Sequence, residues 1–179
     1  MVIDAKSPYT YNHSARVADF AVDIGKELGL DETEVVRIRR AGLLHDIGKL
    51  SVPNRVLDKP GKLTAREWEV VKLHPYYTYQ ILERVPVFGE LAFDASAHHE
   101  RLDGRGYFRN LGAEQLSMAA RILATADQLD ALSAERPYRG KLPPEKVVEI
   151  LRGERGTGLD ADCVAAAERV FQSAVSPAA

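Results

Sequence analysis

Apolar residues recur at spacings of three and four along most of this chain, and this helical periodicity is the feature that most limits its fold. Between Asn12 and Leu28, for example, it places Val17, Phe20 and Ile24 on one face of a helix. No stretch of alternating apolar and polar residues is long enough to predict a strand. The sequence therefore predicts an all-α fold.

Capping and helix-breaking residues divide this pattern into about seven helices. Asp31 and Thr64 are predicted N-caps, and Glu67 completes a capping box with Thr64. A further helix is predicted to begin at His74-Pro75, because proline is tolerated in the first turn. The longer predicted helical stretches are 12–28, 31–49, 88–99, 113–134, 145–152 and 160–172.

Length and composition fit one domain. A chain of 179 residues with an apolar share of 45% can bury a single sizeable core. We expect the domain to occupy residues 10–172, with a lead-in at 1–9 and a frayed tail at 173–179. The single cysteine, Cys163, cannot form an internal disulfide, and its helical flank predicts a packed core thiol.

The charge and hydropathy of the chain exclude several classes of function. A net charge of -2 lacks the basic excess that binds duplex nucleic acid, although a local cationic patch for a small phosphorylated ligand is compatible with it. No segment approaches the roughly 20 apolar residues that span a bilayer. Residues 1–10 also lack the apolar stretch of a signal peptide. These observations predict a cytoplasmic protein that does not enter the membrane.

The use of histidine is the most informative chemical feature. All five histidines lie at the end or edge of a predicted apolar helix: His13, His45, His74, His98 and His99. Asp46 follows one of them, and Asp127 interrupts an apolar helix face, where an unpaired carboxylate is costly to bury. A single histidine in such a place is most often a hydrogen-bonded core residue. Together, however, these side chains are too many for one tetrahedral ion and too poor in oxygen for calcium, which predicts two transition-metal ions.

The predicted ligands also indicate a reaction. Imidazoles and carboxylates without a thiolate suit iron or manganese, and zinc or nickel is compatible with them. Asp46 has two oxygens and can bridge two ions, which would activate a shared water for phosphoester hydrolysis. Lys49 lies four residues after His45, so a continuous helix would place it on the same face as a phosphate contact. The alternative is a lysine favoured only by the helix dipole.

Two segments resemble a known family. His45-Asp46-Ile47-Gly48-Lys49 resembles the HD motif of the HD phosphohydrolase superfamily, and residues 98–107 (HHERLDGRGY) resemble the second signature of its HD-GYP subfamily. Further matches are His13, His74-Pro75, Asp127, Asp130 and the segment Arg136-Pro137-Tyr138-Arg139, so the resemblance extends from about 10 to 172. It implies a compact, single-domain helical bundle of the HD-domain type.

The resemblance also implies an activity and a role for each matching residue. The expected reaction is hydrolysis of cyclic di-GMP to linear pGpG, with further hydrolysis to GMP left open. By motif position, His13, His45, Asp46 and Asp127 would hold one ion, and Asp46 would bridge to a second ion held by His74, His98 and His99. Asp46 and Lys49 would be catalytic, and the substrate contacts would be Lys49, Tyr107, Asp130, Arg136 and Arg139. Stacking on the aromatic ring and bidentate bonds from the guanidinium groups would suit guanine.

Three positions depart from the family pattern. Phe108 replaces the proline of the second signature, and Thr78 replaces a glycine four residues after the histidine of the His-Pro pair. Members with a third metal carry a glutamate where this chain has Tyr9, so we expect two ions rather than three.

Two alternative functions stay open from the sequence. Phe108 motivates a non-catalytic module that binds a cyclic dinucleotide or docks onto a signalling partner. The second alternative is an HD hydrolase of another nucleotide, such as cyclic GMP-AMP or a guanosine polyphosphate. The resemblance further implies association with a sensory, receiver or GGDEF-type domain, and it leaves the oligomeric state open.

Overall fold

The chain folds into helices that meet around one buried polar cluster. The structure is a computed structural model that describes residues 12–135 and 140–175. Its helices are α1 (His13–Glu27), α2 (Glu32–Leu44), α3 (Asn54–Leu57), α4 (Ala65–Lys72), α5 (His74–Glu83), α6 (Gly89–Ser96), α7 (Met118–Ser133), α8 (Pro144–Glu154) and α9 (Ala161–Val175). The described residues contain isolated β-bridges but no strand, so the predicted all-α class is confirmed. The sequence predicted about seven helices. The described residues form more α-helices than that, and the shortest of them, α3, is a single turn.

The predicted caps begin α2 and α4. Asp31 accepts a hydrogen bond from the backbone N–H of Glu34 at 2.9 Å, and the Glu34 carboxylate accepts one from the N–H of Asp31. Thr64 and Glu67 make the same reciprocal pair at the start of α4. Each box satisfies backbone donors that a helix start otherwise leaves unpaired, which is why these local signals located the helix starts correctly.

The end predicted for α2 is wrong. We expected that helix to continue to about Lys49, but it ends at Leu44 and a 3-10 turn follows at Ile47–Ser51. The cause lies elsewhere in the chain, because Gly48 packs directly against α5. A Cβ at Gly48 would lie 1.9 Å from the carbonyl oxygen of His74, so only glycine permits this approach.

Two other helices are shorter than expected. The stretch 88–99 is α-helical only over α6, which follows a 3-10 turn at Pro86–Phe88. The stretch 113–134 consists of a 3-10 turn at Ala113–Gln115 followed by α7. Ser117 caps α7 by accepting a hydrogen bond from the N–H of Ala120 at 3.1 Å. The apolar pattern ran through both helix ends, so periodicity alone could not locate them.

The core lies between α1 and the helices that surround it. α1 packs against α2, α7 and α9 and contributes the fully buried Val17, Ala21 and Ile24. Cys163 on α9 is fully buried in the same core, as predicted. None of the helices in the described part of the chain is long and apolar enough to cross a membrane. The predicted domain end at 172 falls inside α9, and the domain boundaries stay a prediction.

Candidate metal centre

The five histidines converge at one site, although they are spread over 86 positions of the sequence between His13 and His99. His13 is the first residue of α1, and His45 follows α2 directly. His74 begins α5, and His98 and His99 follow α6. His13, His45, His74 and His98 are each at most 3% exposed. All five predicted histidine ligands are therefore brought together.

In three of these histidines, a hydrogen bond at Nδ1 fixes the tautomer of the ring. The Nδ1 atoms of His45, His74 and His98 lie 2.7, 2.8 and 2.7 Å from the carbonyl oxygens of Gly42, Val71 and Ala95. A carbonyl oxygen only accepts, so each Nδ1 carries the proton and each Nε2 presents a lone pair. Metal-binding histidines are commonly held in this way.

The first set of ligand atoms comes from α1, α2 and α7. Nε2 of His13 lies 3.2 Å from Oδ1 of Asp127 and 3.6 Å from Oδ2 of Asp46. Nε2 of His45 lies 3.5 Å from the same Asp46 oxygen. Two ligands about 2.1 Å from a common ion lie roughly 3 to 3.5 Å apart, so these separations suit one shared cation.

The second set lies on the other side of Asp46. Oδ1 of Asp46 is 3.3 Å from Nε2 of His74 and 3.8 Å from Nε2 of His98. Those two Nε2 atoms are only 3.1 Å apart, and His99 has a ligand atom within 4.8 Å of both. Because its two oxygens face different sets, Asp46 has the geometry of a carboxylate that bridges two cations.

Unpaired polar atoms support the assignment of this cluster to metal. Among the described residues, Nε2 of His45 and Oδ1 of Asp46 are buried and make no hydrogen bond. A buried polar atom without a partner is costly, and these two acceptors, one in each set, would each be satisfied by a cation. The residues present therefore fit a bound metal.

The protonation states also suit metal binding. Burial alone would raise the pKa of Asp46, but Lys49 and His45 hold it well below its usual range. Burial lowers the pKa of His45 and, more strongly, that of His98, so both rings are neutral near pH 7. Burial would also lower the pKa of His13, but hydrogen bonds to Asp127 and Asp130, together with the charges of Asp127 and Asp46, outweigh it and raise the pKa to about 9. Of these imidazoles, His13 must therefore release a proton to bind a cation.

Asp130 lies behind His13 rather than at the surface of the site. This aspartate is fully buried, and its Oδ2 is 2.7 Å from Nδ1 of His13. Arg16 donates from Nε to its other oxygen at 2.5 Å. Both carboxylate oxygens are thus occupied, and the geometry is that of an orienting carboxylate. The sequence had predicted a substrate contact at this position.

Lys49 reaches the bridging aspartate from the solvent side. Its ammonium lies 2.5 Å from Oδ2 of Asp46, and its side chain is 20% exposed. The predicted position beside the ligands is correct, but the 3-10 turn produces it rather than a continuous helix. The other cationic side chains predicted to contact the substrate, those of Arg136 and Arg139, lie outside the described residues.

The side chain of Glu100 holds the glycine-rich loop after His99 in place. This buried carboxylate accepts hydrogen bonds from the backbone N–H groups of Arg109 at 2.7 Å and Leu111 at 3.0 Å. The loop brings the ring of Tyr107 to 4.7 Å from the ring of His99. Burial raises the pKa of Tyr107, so the phenol keeps its proton at neutral pH.

Phe108, which replaces the family proline, packs within a group of aromatic side chains. Its ring lies 5.6 Å from that of Tyr76, and the guanidinium of Arg109 stands 4.3 Å over it. The same guanidinium lies 4.6 Å over Tyr79. These contacts hold the loop so that Tyr107 still faces the histidines, despite the departure from the family pattern.

Comparison with known proteins decides the family. A model of the HD domain family matches residues 1–163. The chain belongs to the HD domain family. The HD-GYP resemblance inferred from the motifs is also confirmed.

Relatives of this HD domain include named phosphodiesterases. It is 48% identical over 170 residues to 3'3'-cGAMP-specific phosphodiesterase 3 of Vibrio cholerae, an alignment that covers 95% of this chain and 37% of that protein. It is 38% identical to the cyclic di-GMP phosphodiesterase of Thermotoga maritima, covering 86% of this chain and 43% of that protein. A crystal structure of a cyclic GMP-AMP specific phosphodiesterase of V. cholerae matches 98% of this chain and 39% of that chain, with a TM-score of 0.60 and 41% identity. The HD domain thus spans about two fifths of these relatives.

Sequence reasoning missed the residues that support the ligands of this HD domain. Thr78 was noted only as a departure, yet its hydroxyl accepts from the N–H of Gly48 at 3.0 Å and donates to the carbonyl of His45 at 2.8 Å. Arg16 was given no role, and neither was Glu100. The only local sign of such a role was the position of Glu100 directly after two predicted ligands. The hydrogen-bond partners of Thr78, Arg16 and Glu100 depend on tertiary contacts, which local sequence does not reveal.

Proposed function

We propose that this HD domain is a phosphodiesterase that holds two transition-metal ions and hydrolyses a cyclic dinucleotide. The observation that carries the proposal is the position of Asp46, with one oxygen facing His13 and His45 and the other facing His74 and His98. Iron or manganese is the expected metal, and zinc or nickel is compatible with the same ligands. His99 and Asp127 complete the two proposed sets.

The residues around the cluster have separate tasks in this reaction. When bound, two adjacent ions lower the pKa of a shared water and polarise the phosphate. The ammonium of Lys49 lies beside the bridging carboxylate, where it can neutralise a phosphate oxygen. The protonated phenol of Tyr107 stands next to His99 and can donate a hydrogen bond to the substrate. Asp130 holds the ring of His13 in place.

Cyclic di-GMP is the proposed substrate and linear pGpG the proposed product. The motifs of the chain support this choice, as does the name of the T. maritima relative. A second candidate is 3'3'-cyclic GMP-AMP, because the V. cholerae protein at 48% identity is named as specific for it. The choice of substrate, association with a signalling domain and a cytoplasmic location stay predictions. The roles of Arg136 and Arg139 as guanine contacts also stay predictions.

A turnover assay tests the proposal. Metal-free protein is reloaded anaerobically with iron(II) or manganese(II) and incubated separately with each dinucleotide, and products are separated by chromatography. We expect linear product from the loaded protein and none from Asp46→Ala, with the helical circular dichroism spectrum retained. Asp19→Ala is the matched control, because the side chain of Asp19 is 64% exposed.

The outcomes separate the candidate functions. Full activity of Asp46→Ala would refute the metal assignment. Tight binding without linear product under every metal would favour the non-catalytic module. Faster turnover of cyclic GMP-AMP than of cyclic di-GMP would select the second substrate and leave the mechanism intact.

A further inference from the structure

Trp68 is exposed at a position that core packing does not explain. It is the only tryptophan of the chain, and 45% of its surface is open to solvent. It lies on α4, a helix none of whose residues is buried. A large aromatic side chain usually buries its area, so an exposed one beside a functional site suggests a ligand contact.

The neighbours of Trp68 lead to the metal ligands. The indole lies 6.3 Å from the ring of Tyr107, at an interplanar angle of 77°. The Tyr107 ring in turn lies 4.7 Å from His99 and 6.5 Å from His74. A continuous series of rings therefore extends from the metal ligands to the solvent, and Trp68 is its outer member.

Helix α4 is attached to the site at its C-terminal end. Its last turn offers the carbonyl of Val71 to Nδ1 of His74, a proposed ligand. At the N-terminal end, Lys59 binds the capping residue Glu67 at 2.6 Å. The indole is thus held at a fixed place relative to the cluster, even though α4 contributes nothing to the core.

We propose that Trp68 and Tyr107 form the subsite that binds one purine base of the cyclic dinucleotide. This inference rests on the proposed function and adds a residue outside the family motifs. A purine can stack on the exposed face of an indole, and stacking accepts any base because every base has a π face. Trp68 therefore supports affinity for cyclic di-GMP and cyclic GMP-AMP alike and does not select between them.

Kinetics of Trp68→Leu test the subsite. We expect the variant to raise KM for either cyclic dinucleotide by about tenfold, while Trp68→Phe, which keeps a ring, raises it by about threefold or less. Methyl p-nitrophenyl phosphate is a diester without a purine. For this substrate, the loss of kcat/KM in Trp68→Leu should be about tenfold smaller than the loss for a cyclic dinucleotide. The matched control is Val87→Ala, since Val87 is also apolar and is 72% exposed.

Tryptophan fluorescence tests the subsite independently of kinetics. Because Trp68 is the only tryptophan, emission from the metal-loaded protein reports this residue alone. We expect quenching when a phosphorothioate analogue of cyclic di-GMP, which resists hydrolysis, is added. Trp68 is not a buried core residue, so its variants are expected to keep the wild-type circular dichroism spectrum.

The results distinguish this inference from the proposed function. An active wild-type protein with no quenching, and an unchanged KM in Trp68→Leu, would overturn the subsite and leave the function standing. A wild-type protein that cleaves methyl p-nitrophenyl phosphate but neither cyclic dinucleotide would overturn the proposed function, and the subsite with it.

Discussion

A histidine binds metal through one nitrogen, and what its other nitrogen contacts decides how firmly the ring is held. In three of these rings that contact is a backbone carbonyl, but His13 uses the carboxylate of Asp130 instead. A carboxylate makes the imidazole more basic as well as orienting it. Hydrogen bonds from His13 and Arg16 lower the pKa of Asp130 despite its burial, so this carboxylate stays ionised and in place.

Asp130→Asn is predicted to weaken metal binding by about 10- to 100-fold, the usual cost of removing a carboxylate that orients a metal-binding histidine. The amide oxygen of asparagine can still accept a hydrogen bond from His13, but asparagine lacks the negative charge of aspartate. Its NH2 group would face the guanidinium of Arg16, and both of these groups are donors. Competition with a chromophoric chelator measures the affinity for manganese(II). The control is Asp23→Asn, an exposed position on the same helix as His13. Unchanged metal affinity with a raised KM would instead support the substrate contact predicted from the sequence.

The side chains of the proposed ligands could be predicted to cluster at the residue scale, but their supports could not. Five histidines and two aspartates stand in motifs whose chemistry is local and recognisable. The partner of His13, by contrast, is 117 residues away in sequence. Only the packing of α1 against α7 brings the two side chains together, and no local pattern encodes that contact.

At the scale of the elements, the break after α2 places His45 and Asp46 at the junction of two helices. Thr78 joins the two sides of this break to α5, because its buried hydroxyl bonds both the N–H of Gly48 and the carbonyl of His45. The starts of α2 and α4 were predictable from capping residues, which act locally. The end of α2 was not, because it depends on the contact between Gly48 and His74.

Thr78→Val is predicted to destabilise the fold by about 1–3 kcal/mol, because it leaves a buried donor and a buried acceptor without a partner. Valine has nearly the same shape as threonine, so packing changes little. Thr78→Ser keeps the hydroxyl and should lose less. Urea unfolding of the metal-free proteins gives the free energies. A valine variant as stable as the wild type would show that the two backbone groups have found other partners.

At the scale of the whole molecule, the ligands come from both halves of the described chain. α1, the end of α2, the start of α5, the segment after α6, and α7 each contribute at least one. In the unfolded chain these side chains are far apart, so the proposed bridged cluster can form only in the folded state. Metal binding and folding are therefore linked: whatever free energy binding releases adds to the stability of the native state.

Metal saturation is predicted to raise the melting temperature by roughly 10 °C or more. An ion present at 100 times its Kd stabilises the fold by about 2.7 kcal/mol, and two such ions by about 5 kcal/mol. For a chain of this size, each kcal/mol raises Tm by about 2–4 °C. Circular dichroism melts of metal-free and manganese-saturated protein measure the shift. Asp127→Ala removes a ligand of one proposed ion, so its shift should be about half as large. An equal shift in this variant would place the bound metal outside the cluster, and no shift in the wild-type protein would mean that the folded chain does not assemble the centre.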